Sequence, residues 1–196
     1  MSDEKKKDVC SGRPLTYEDY AKLDDGKRYE LVDGVLELMS PAPTPQHQMI
    51  SHEIVNKLSD SCKTNYVILH APIDLILSDT VVRQSDLVLI HRDRFSKIVK
   101  KRGIVGVPDL VVEILSPSSV KRDRVSKLQT YARFKIPEYW IVDANNRCIE
   151  QYVLDEKRYA VSNVYVEDEK IQSDNIPCAS ISINDILANV LEVPED

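Results

Sequence analysis

The stretch PDLVVEILSPSS, residues 108–119, places one glutamate inside an apolar run that is typical of a buried strand. Successive side chains of a strand point to opposite faces, so Glu113 shares a face with Val111 and Leu115. A buried carboxylate without a partner either takes up a proton or costs several kcal/mol. The stretch therefore predicts an opposing cation, a bound metal ion or a functional water cluster beside Glu113.

A second carboxylate lies just ahead of the apolar run in the preceding strand, because Asp86 opens the segment DLVLI. If the two strands pair, Asp86 and Glu113 lie roughly 5 Å apart. Two charges at that distance repel by about 3 kcal/mol at an effective dielectric of about 20, so keeping both ionised requires a cation between them. Carboxylate oxygens are hard ligands, which favours a divalent ion such as Mg²⁺ or Mn²⁺.

The predicted helix after this strand, from about 119 to 135, supplies a lysine. Asp123, Lys127 and Tyr131 are spaced by four residues, so they line one stripe of the helix above the end of the Glu113 strand. Lys127 is the best candidate for an ammonium that reaches the carboxylates. Phosphodiester hydrolysis uses such a set, because the metal lowers the pKa of an attacking water and the lysine orients that water or stabilises the charged transition state.

The remaining pattern predicts the other elements of the fold. In chain order they are a short helix near 16–23, a hairpin at 28–39, a helix at 46–62, β-like runs at 66–77 and 81–90, a basic helix and loop at 91–107, strands at 138–143, 148–154 and 158–166, and a short helix starting near Asn184 or Asp185. A strand, a crossover helix and a second strand within 109–142 indicate a βαβ unit after a meander. The fold class is α/β, with an α+β mixed sheet.

Bulk properties narrow the kind of protein. The chain has 196 residues and a net charge of 26 − 32 = −6, which argues against indiscriminate coating of nucleic acid but allows a local basic groove. We expect one domain at 14–196 behind a disordered polar tail at 1–13. The four cysteines form no CxxC pair, which predicts free thiols in a reducing cytoplasm, and no run is long enough to span a membrane.

Basic residues flank the Glu113 stretch on both sides. Such runs are usually solvated surface, and the alternative is a contact with the DNA backbone. The candidates for that contact are Lys97, Lys100, Lys101, Arg102, Lys121, Arg122 and Arg124. His47 lies just inside its predicted helix, where it either contacts a phosphate or caps the turn.

Five segments in order resemble the Uma-two family of restriction-endonuclease-like proteins, within the PD-(D/E)XK nuclease superfamily. They are YELVDGVL, SPAPTPQHQ, QSDLVLI, GVPDLVVEILSPSS and KRDRVSKLQTYARFKIPEYWIVD, and the resemblance covers roughly residues 14–155. It implies a restriction-endonuclease-like core with a central mixed β-sheet flanked by helices. It also implies DNA cleavage with Mg²⁺ or Mn²⁺ and, by analogy with double-strand cutting, a homodimer.

Carried over by position, the resemblance implies that Asp86 and Glu113 bind the metal and that Glu30 is an additional acidic residue. The lysine departs from the parent motif, where it stands two residues after the acid; Leu115 holds that place here, and Lys127 on the next helix takes the role. The dipeptide at 108–109 is not the motif's PD, because Asp109 lies about 13 Å from Glu113 along one strand.

Other interpretations remain open from the sequence. The carboxylates could form a buried salt bridge with Lys127 or an arginine, with Asp123 pairing Lys127 and Tyr131 serving only in packing. The fold could be a nucleic-acid or protein binding module without catalysis. Cleavage of RNA or of a small nucleotide is a third reading.

Overall fold

The structure is a computed structural model that describes residues 12–39 and 42–194. Most of the predicted tail, residues 1–11, lies outside these ranges. The helices are α1 (Tyr17–Tyr20), α2 (Pro45–Cys62), α3 (Arg92–Ile98), a π-helical segment (Arg122–Lys127) that runs into α4 (Leu128–Arg133), and α5 (Ile183–Leu187). The strands are β1 (Tyr29–Val32), β2 (Val35–Leu38), β3 (Tyr66–His70), β4 (Leu75–Ser78), β5 (Val81–Arg83), β6 (Leu87–His91), β7 (Val99–Lys100), β8 (Gly103–Val105), β9 (Leu110–Ile114), β10 (Glu138–Asp143), β11 (Cys148–Asp155) and β12 (Arg158–Val166).

The strands form two mixed sheets, which confirms the mixed α/β class. The first sheet has the order β2-β1-β5-β4-β8-β7, and the second has the order β12-β11-β10-β9-β6-β3. Parallel pairing occurs between β4 and β8 in the first sheet and between β9 and β10 in the second. The β9–β10 pair, with its crossover helix, is the predicted βαβ unit. The division into two sheets was not predicted.

Each of the two long β-like runs is divided between the sheets. The run 66–77 contributes β3 to the second sheet and β4 to the first, with Pro72 between them. The run 81–90 contributes β5 to the first sheet and β6 to the second. Residues 84–86 therefore carry the chain from one sheet to the other, which places Asp86 at the junction between the sheets.

The second sheet is covered on both faces. One face packs against α2 and α5 through apolar residues that include Leu110, Val112 and Trp140. The other face packs against the first sheet and α4, through Val111 and Ile141 together with Leu75 and Tyr131. Since Glu113 lies on the same face as Val111, it points into the layer between the two sheets and α4.

The prediction that all cysteines are free thiols is wrong. Cys62, the last residue of α2, forms a disulfide with Cys178 across 116 residues of sequence, and Cys178 packs against the core beside α2. Spacing along the chain carried no sign of this pair, because packing of the C-terminal segment on α2 brings the two residues together. Cys148 is a buried free thiol. Within 12–39 and 42–194, no helix combines the length and apolar character needed to cross a membrane.

Candidate active site

Asp86 and Glu113 are brought side by side by the pairing of β6 with β9. The strands are antiparallel with Leu87 opposite Val112, so the next pair in this register is Asp86 and Glu113. The backbone N–H of Ile114 donates to Asp86 Oδ2 at 2.7 Å, which fixes that carboxylate against the strand of Glu113. The Glu113 residue is only 2% exposed. The expected strand pairing is therefore present.

Lys127 reaches Glu113, as the helix spacing predicted. Its Nζ lies 2.7 Å from Glu113 Oε1 and donates to the carbonyl oxygen of Gln84 at 2.9 Å. It is also 3.8 Å from Glu30 Oε1 and 3.7 Å from Asp123 Oδ1. A lysine surrounded by three carboxylates inside the protein keeps its charge, since each of them favours the ammonium form.

The helix that carries Lys127 is π-helical where an α-helix was predicted. In an α-helix of 3.6 residues per turn, residues four apart drift by about 40° around the axis. A π-helix bonds over five residues and has more than four residues per turn, so the same spacing drifts the other way. The step from Asp123 to Lys127 is π-helical and the step from Lys127 to Tyr131 is α-helical. The two drifts offset each other, and all three side chains stay buried.

Glu30 and Arg83 form a buried ion pair beside Lys127. Arg83 Nη1 donates to Glu30 Oε2 at 2.9 Å, and the backbone N–H of Gln84 donates to Glu30 Oε1 at 2.8 Å. Both oxygens of Glu30 are thus occupied. Arg83 was not identified from the sequence. It is a charged residue at the end of the apolar run 81–83, which is the same kind of pattern that drew attention to the glutamate in 110–114.

His47 and Tyr131 each contact one of the central carboxylates. Thr44 caps α2 by accepting from the backbone N–H of His47, and His47 Nε2 lies 3.2 Å from Asp86 Oδ2. The Tyr131 hydroxyl donates to Glu113 Oε1 at 2.8 Å. Both residues therefore belong to the cluster, and each holds an oxygen in a defined direction.

Burial and charge divide the carboxylates into two kinds. Burial raises the pKa of Glu113 well above its ordinary value, with Lys127 opposing and Asp86 adding to the rise. Burial likewise raises the pKa of Asp123, against the charge of Lys127. The pKa of Asp86 is lowered despite its burial, because His47 and Lys127 stabilise the anion. The cluster thus has more negative charge than its own cations satisfy.

The residues present fit a divalent cation. In the part of the chain that the structure describes, Asp86 Oδ1 and Glu113 Oε2 accept no hydrogen bond, while the other oxygen of each carboxylate is held. Asp123 Oδ1 and His47 Nδ1 are buried without a hydrogen-bond partner. All four side chains line a cavity of about 310 Å³ together with Lys127. Free carboxylate oxygens facing one cavity are the donors that Mg²⁺ and Mn²⁺ prefer.

A second acidic group lies on β10 and β11, away from this cavity. Asp143, Cys148 and Glu150 have ligand atoms within 4.8 Å of one another. Arg124 Nη2 donates to Asp143 at 3.0 Å and also to Glu150, so a cation is already present between these carboxylates. We therefore do not assign this group to a metal.

The predicted basic residues have different surroundings in the structure. Arg122 lines the candidate site, whereas Arg124 is held by Asp143 and Glu150. A second cavity, which shares Gln84 with the candidate site, is lined by Lys100, Lys101 and Arg102. Lys97 and Lys121 are exposed. Asp109 is also apart from the site, since it pairs with Arg94 and accepts from the backbone N–H of His91 at 2.7 Å.

Comparison with solved structures found a chain that shares the fold over its full length. The crystal structure of "a putative nuclease belonging to DUF820" from Anabaena variabilis matches with a TM-score of 0.72 at 18% identity, over 91% of this chain and all of that one. The type IIG restriction endonuclease BpuSI matches with a TM-score of 0.40 at 16% identity, over 64% of this chain and 14% of that one.

The family follows from the sequence match. Residues 16–184 match the Uma2 family, described as "Putative restriction endonuclease", and the chain belongs to this family. No curated protein shows significant similarity to the chain. The family and the fold confirm the resemblance drawn from the five sequence segments, and they support a nuclease-like function.

Proposed function

We propose that the protein is a metal-dependent endonuclease that hydrolyses phosphodiester bonds in DNA. The observation that carries the proposal is the pair of free oxygens, Asp86 Oδ1 and Glu113 Oε2, in one cavity with the Lys127 ammonium. Asp86 and Glu113 would hold Mg²⁺ or Mn²⁺, which when bound supplies an activated water and neutralises charge on the phosphate.

The chain's own residues hold the other groups in place. Lys127 keeps a positive charge beside Glu113, where it orients the attacking water or stabilises the extra charge on the phosphate. Tyr131 and the Ile114 N–H fix one oxygen of each metal-binding carboxylate and leave the other free. His47, Asp123 and Arg122 lie at the cavity wall, and Arg122 is the basic residue best placed to meet a phosphate.

Glu30 is the additional acidic residue that the resemblance implied, and we propose that its role is electrostatic. Its two oxygens are bonded to Arg83 and to the backbone of Gln84, so it acts on the charge of Lys127 rather than as a direct metal ligand. The proposal also includes one domain at 14–196, a homodimer and a cytoplasmic location. The redox state of Cys62 and Cys178 in the cell tests the last of these, because disulfides are rare in the cytosol.

A nuclease assay with matched variants tests the proposal. Purified protein with Mg²⁺ or Mn²⁺ should cut DNA, and Glu113→Gln should lower the cutting rate by at least about 10³-fold. Asp109→Asn is the matched control, since it makes the same chemical change in the same stretch of chain but outside the cavity. Equal cutting by wild type and Glu113→Gln would refute the assignment.

A binding module without catalysis is the second candidate. The contact between Lys127 and Glu113 favours it, since an ion pair at 2.7 Å can satisfy the buried carboxylate without metal. This candidate predicts that the protein retards DNA without cleaving it and that Mn²⁺ does not change its melting temperature. Competition with RNA and with mononucleotides separates DNA from the other substrates.

A further inference from the structure

A fully buried arginine lies next to the candidate site without facing its cavity. The Arg83 side chain is 0% exposed, so it does not reach a substrate from this position. Its Nη1 donates to Glu30 at 2.9 Å and, at the longer distance of 3.5 Å, to Glu37. Its Nη2 donates to Ser126 Oγ at 2.7 Å and to Thr130 Oγ1 at 2.9 Å. Ser126 and Thr130 belong to the helix that carries Lys127. Arg83 thus joins the first sheet to that helix around Lys127.

Lys127 has two competing carboxylate partners. Its Nζ is 2.7 Å from Glu113 Oε1 and 3.8 Å from Glu30 Oε1. At equal ionisation, the carboxylate that is less neutralised by other groups attracts the ammonium more strongly. Arg83 neutralises Glu30 with a charge-assisted hydrogen bond, and the backbone of Gln84 occupies the second oxygen.

The charge of the whole cluster points the same way. Its carboxylates are Glu30, Glu37, Asp86, Glu113 and Asp123, and its permanent cations are Arg83, Arg122 and Lys127. With all five acids ionised and His47 neutral, the sum is −5 + 3 = −2, which one divalent ion balances. Without Arg83 the sum would be −3, and one divalent ion would no longer balance it. Lys127 is the only other buried ammonium or guanidinium among the described residues of the cluster.

We propose that Arg83 is a positioning residue that sequesters Glu30 and thereby keeps the Lys127 ammonium on Glu113. The hydroxyls of Ser126 and Thr130 orient the guanidinium for this task. The proposal rests on the proposed function only in that Lys127 acts in the reaction. The placement of the ammonium is a separate structural claim.

The first variant removes the arginine alone. In Arg83→Met we expect Lys127 Nζ to move from Glu113 to Glu30. A crystal structure of the variant measures this. With DNA and Mn²⁺, kcat should fall by about 100-fold, because the ammonium is displaced by an ångström or more. KM for DNA should not change, since Arg83 is buried away from the substrate.

The second variant removes both charges of the pair. Arg83→Met/Glu30→Gln keeps an acceptor for the Gln84 N–H but abolishes the pull of Glu30 on the ammonium. Lys127 should return to within about 3 Å of Glu113, and kcat should recover to within about threefold of wild type, since a buried ion pair can be replaced by neutral groups at little cost. An arginine that serves only the stability of the fold would not be rescued in this way.

The outcomes separate this proposal from the proposed function. If wild type does not cleave DNA, the proposed function fails, and the position of Lys127 in the two crystal structures still decides the role of Arg83. A Lys127–Glu113 contact that persists in Arg83→Met, or that is lost in both variants, would overturn it. If Arg83→Met does not fold, the double variant decides alone: a retained contact supports the proposal, and a lost contact or a failure to fold refutes it.

Discussion

Two glutamates on neighbouring strands of the second sheet are both buried and differ in how they are satisfied. Glu138 on β10 is bonded entirely by neutral donors, at 2.5 to 3.1 Å. These donors are Trp140 Nε1, Gln151 Nε2, Ser173 Oγ and Asn175 Nδ2. Glu113 on β9 points to the opposite face, and only its Oε1 is held, by Lys127 and Tyr131.

The difference separates a structural carboxylate from a candidate ligand. Both oxygens of Glu138 accept two hydrogen bonds each, so the carboxyl group is fully hydrogen-bonded by the protein itself. Glu113 keeps Oε2 free toward a cavity that also holds Asp86 and Asp123. A buried acid that the fold leaves incompletely satisfied is the kind of group that binds a cation.

The largest effects are expected from substituting each of the two glutamates with alanine and comparing stability and cleavage. Glu138→Ala should lower the free energy of unfolding by about 4 kcal/mol, because four donors lose their common acceptor inside the core. Glu113→Ala should lower it far less, since it also removes a poorly solvated charge, yet it should abolish cleavage. Urea unfolding measures the first quantity and a nuclease assay on the folded fraction measures the second.

The opposite pattern would contradict the comparison. Folded Glu138→Ala protein that cannot cut DNA, together with Glu113→Ala protein that is strongly destabilised and still active, would exchange the two roles. Asn175→Ala, which removes one of the four donors, is a graded control. It should cost about 1 kcal/mol, the net value of a single hydrogen bond, and leave cleavage unchanged.

The next largest effect is expected from the disulfide, which lies on the same side of the second sheet as Glu138. The bond between Cys62 and Cys178 closes a loop of 116 residues and ties the C-terminal segment to α2. Disulfides typically contribute about 2–4 kcal/mol, so reduction, or Cys62→Ala/Cys178→Ala, should lower the free energy of unfolding by about 4 kcal/mol or less. Cleavage by the folded protein should persist, because neither cysteine lines the site. Equal melting temperatures with and without dithiothreitol would show that the bond contributes no stability in solution.

The centre of the site could be predicted from the sequence because it depends on short-range geometry. Alternation along one strand and spacing along one helix are enough to bring Glu113, Asp86 and Lys127 together once the strands pair. Arg83 could not be placed in the same way, since the run 81–90 resembles one strand and is divided between two sheets. Cys62 and Cys178 also escaped prediction, because only tertiary packing relates residues 116 positions apart.

The π-helical conformation of Arg122–Lys127 could not be predicted from the sequence pattern either. Residues 119–135 have the spacing of an α-helix, and the stretch Arg122–Lys127 is π-helical. A π-helical turn has poor intrinsic stability and persists where packing or function favours it. Here Arg83 bonds to Ser126, and Arg124 bonds to Asp143 and Glu150, so contacts from both sides hold the turn. These contacts join residues that are distant in sequence, so they cannot be predicted before the arrangement of the two sheets is known.

The smallest effect is a dependence of stability on pH. Burial raises the pKa of Glu113 in the folded protein above its value in the unfolded chain, so the folded state binds the proton more tightly. The stability that this proton contributes is fully present below about pH 4.5 and is lost as the pH rises through the folded pKa. Each unit of pKa difference corresponds to about 1.4 kcal/mol.

Glu113→Gln isolates this contribution, because glutamine has the same shape and does not titrate. Without metal, the free energy of unfolding of wild type minus that of Glu113→Gln should fall as the pH rises above about 4.5. Saturating Mg²⁺ should reverse the trend, since the ion binds the carboxylate form and releases the proton. A difference that stays constant with pH would mean that Lys127 and Tyr131 already satisfy Glu113. That result would make Glu113 a structural carboxylate like Glu138.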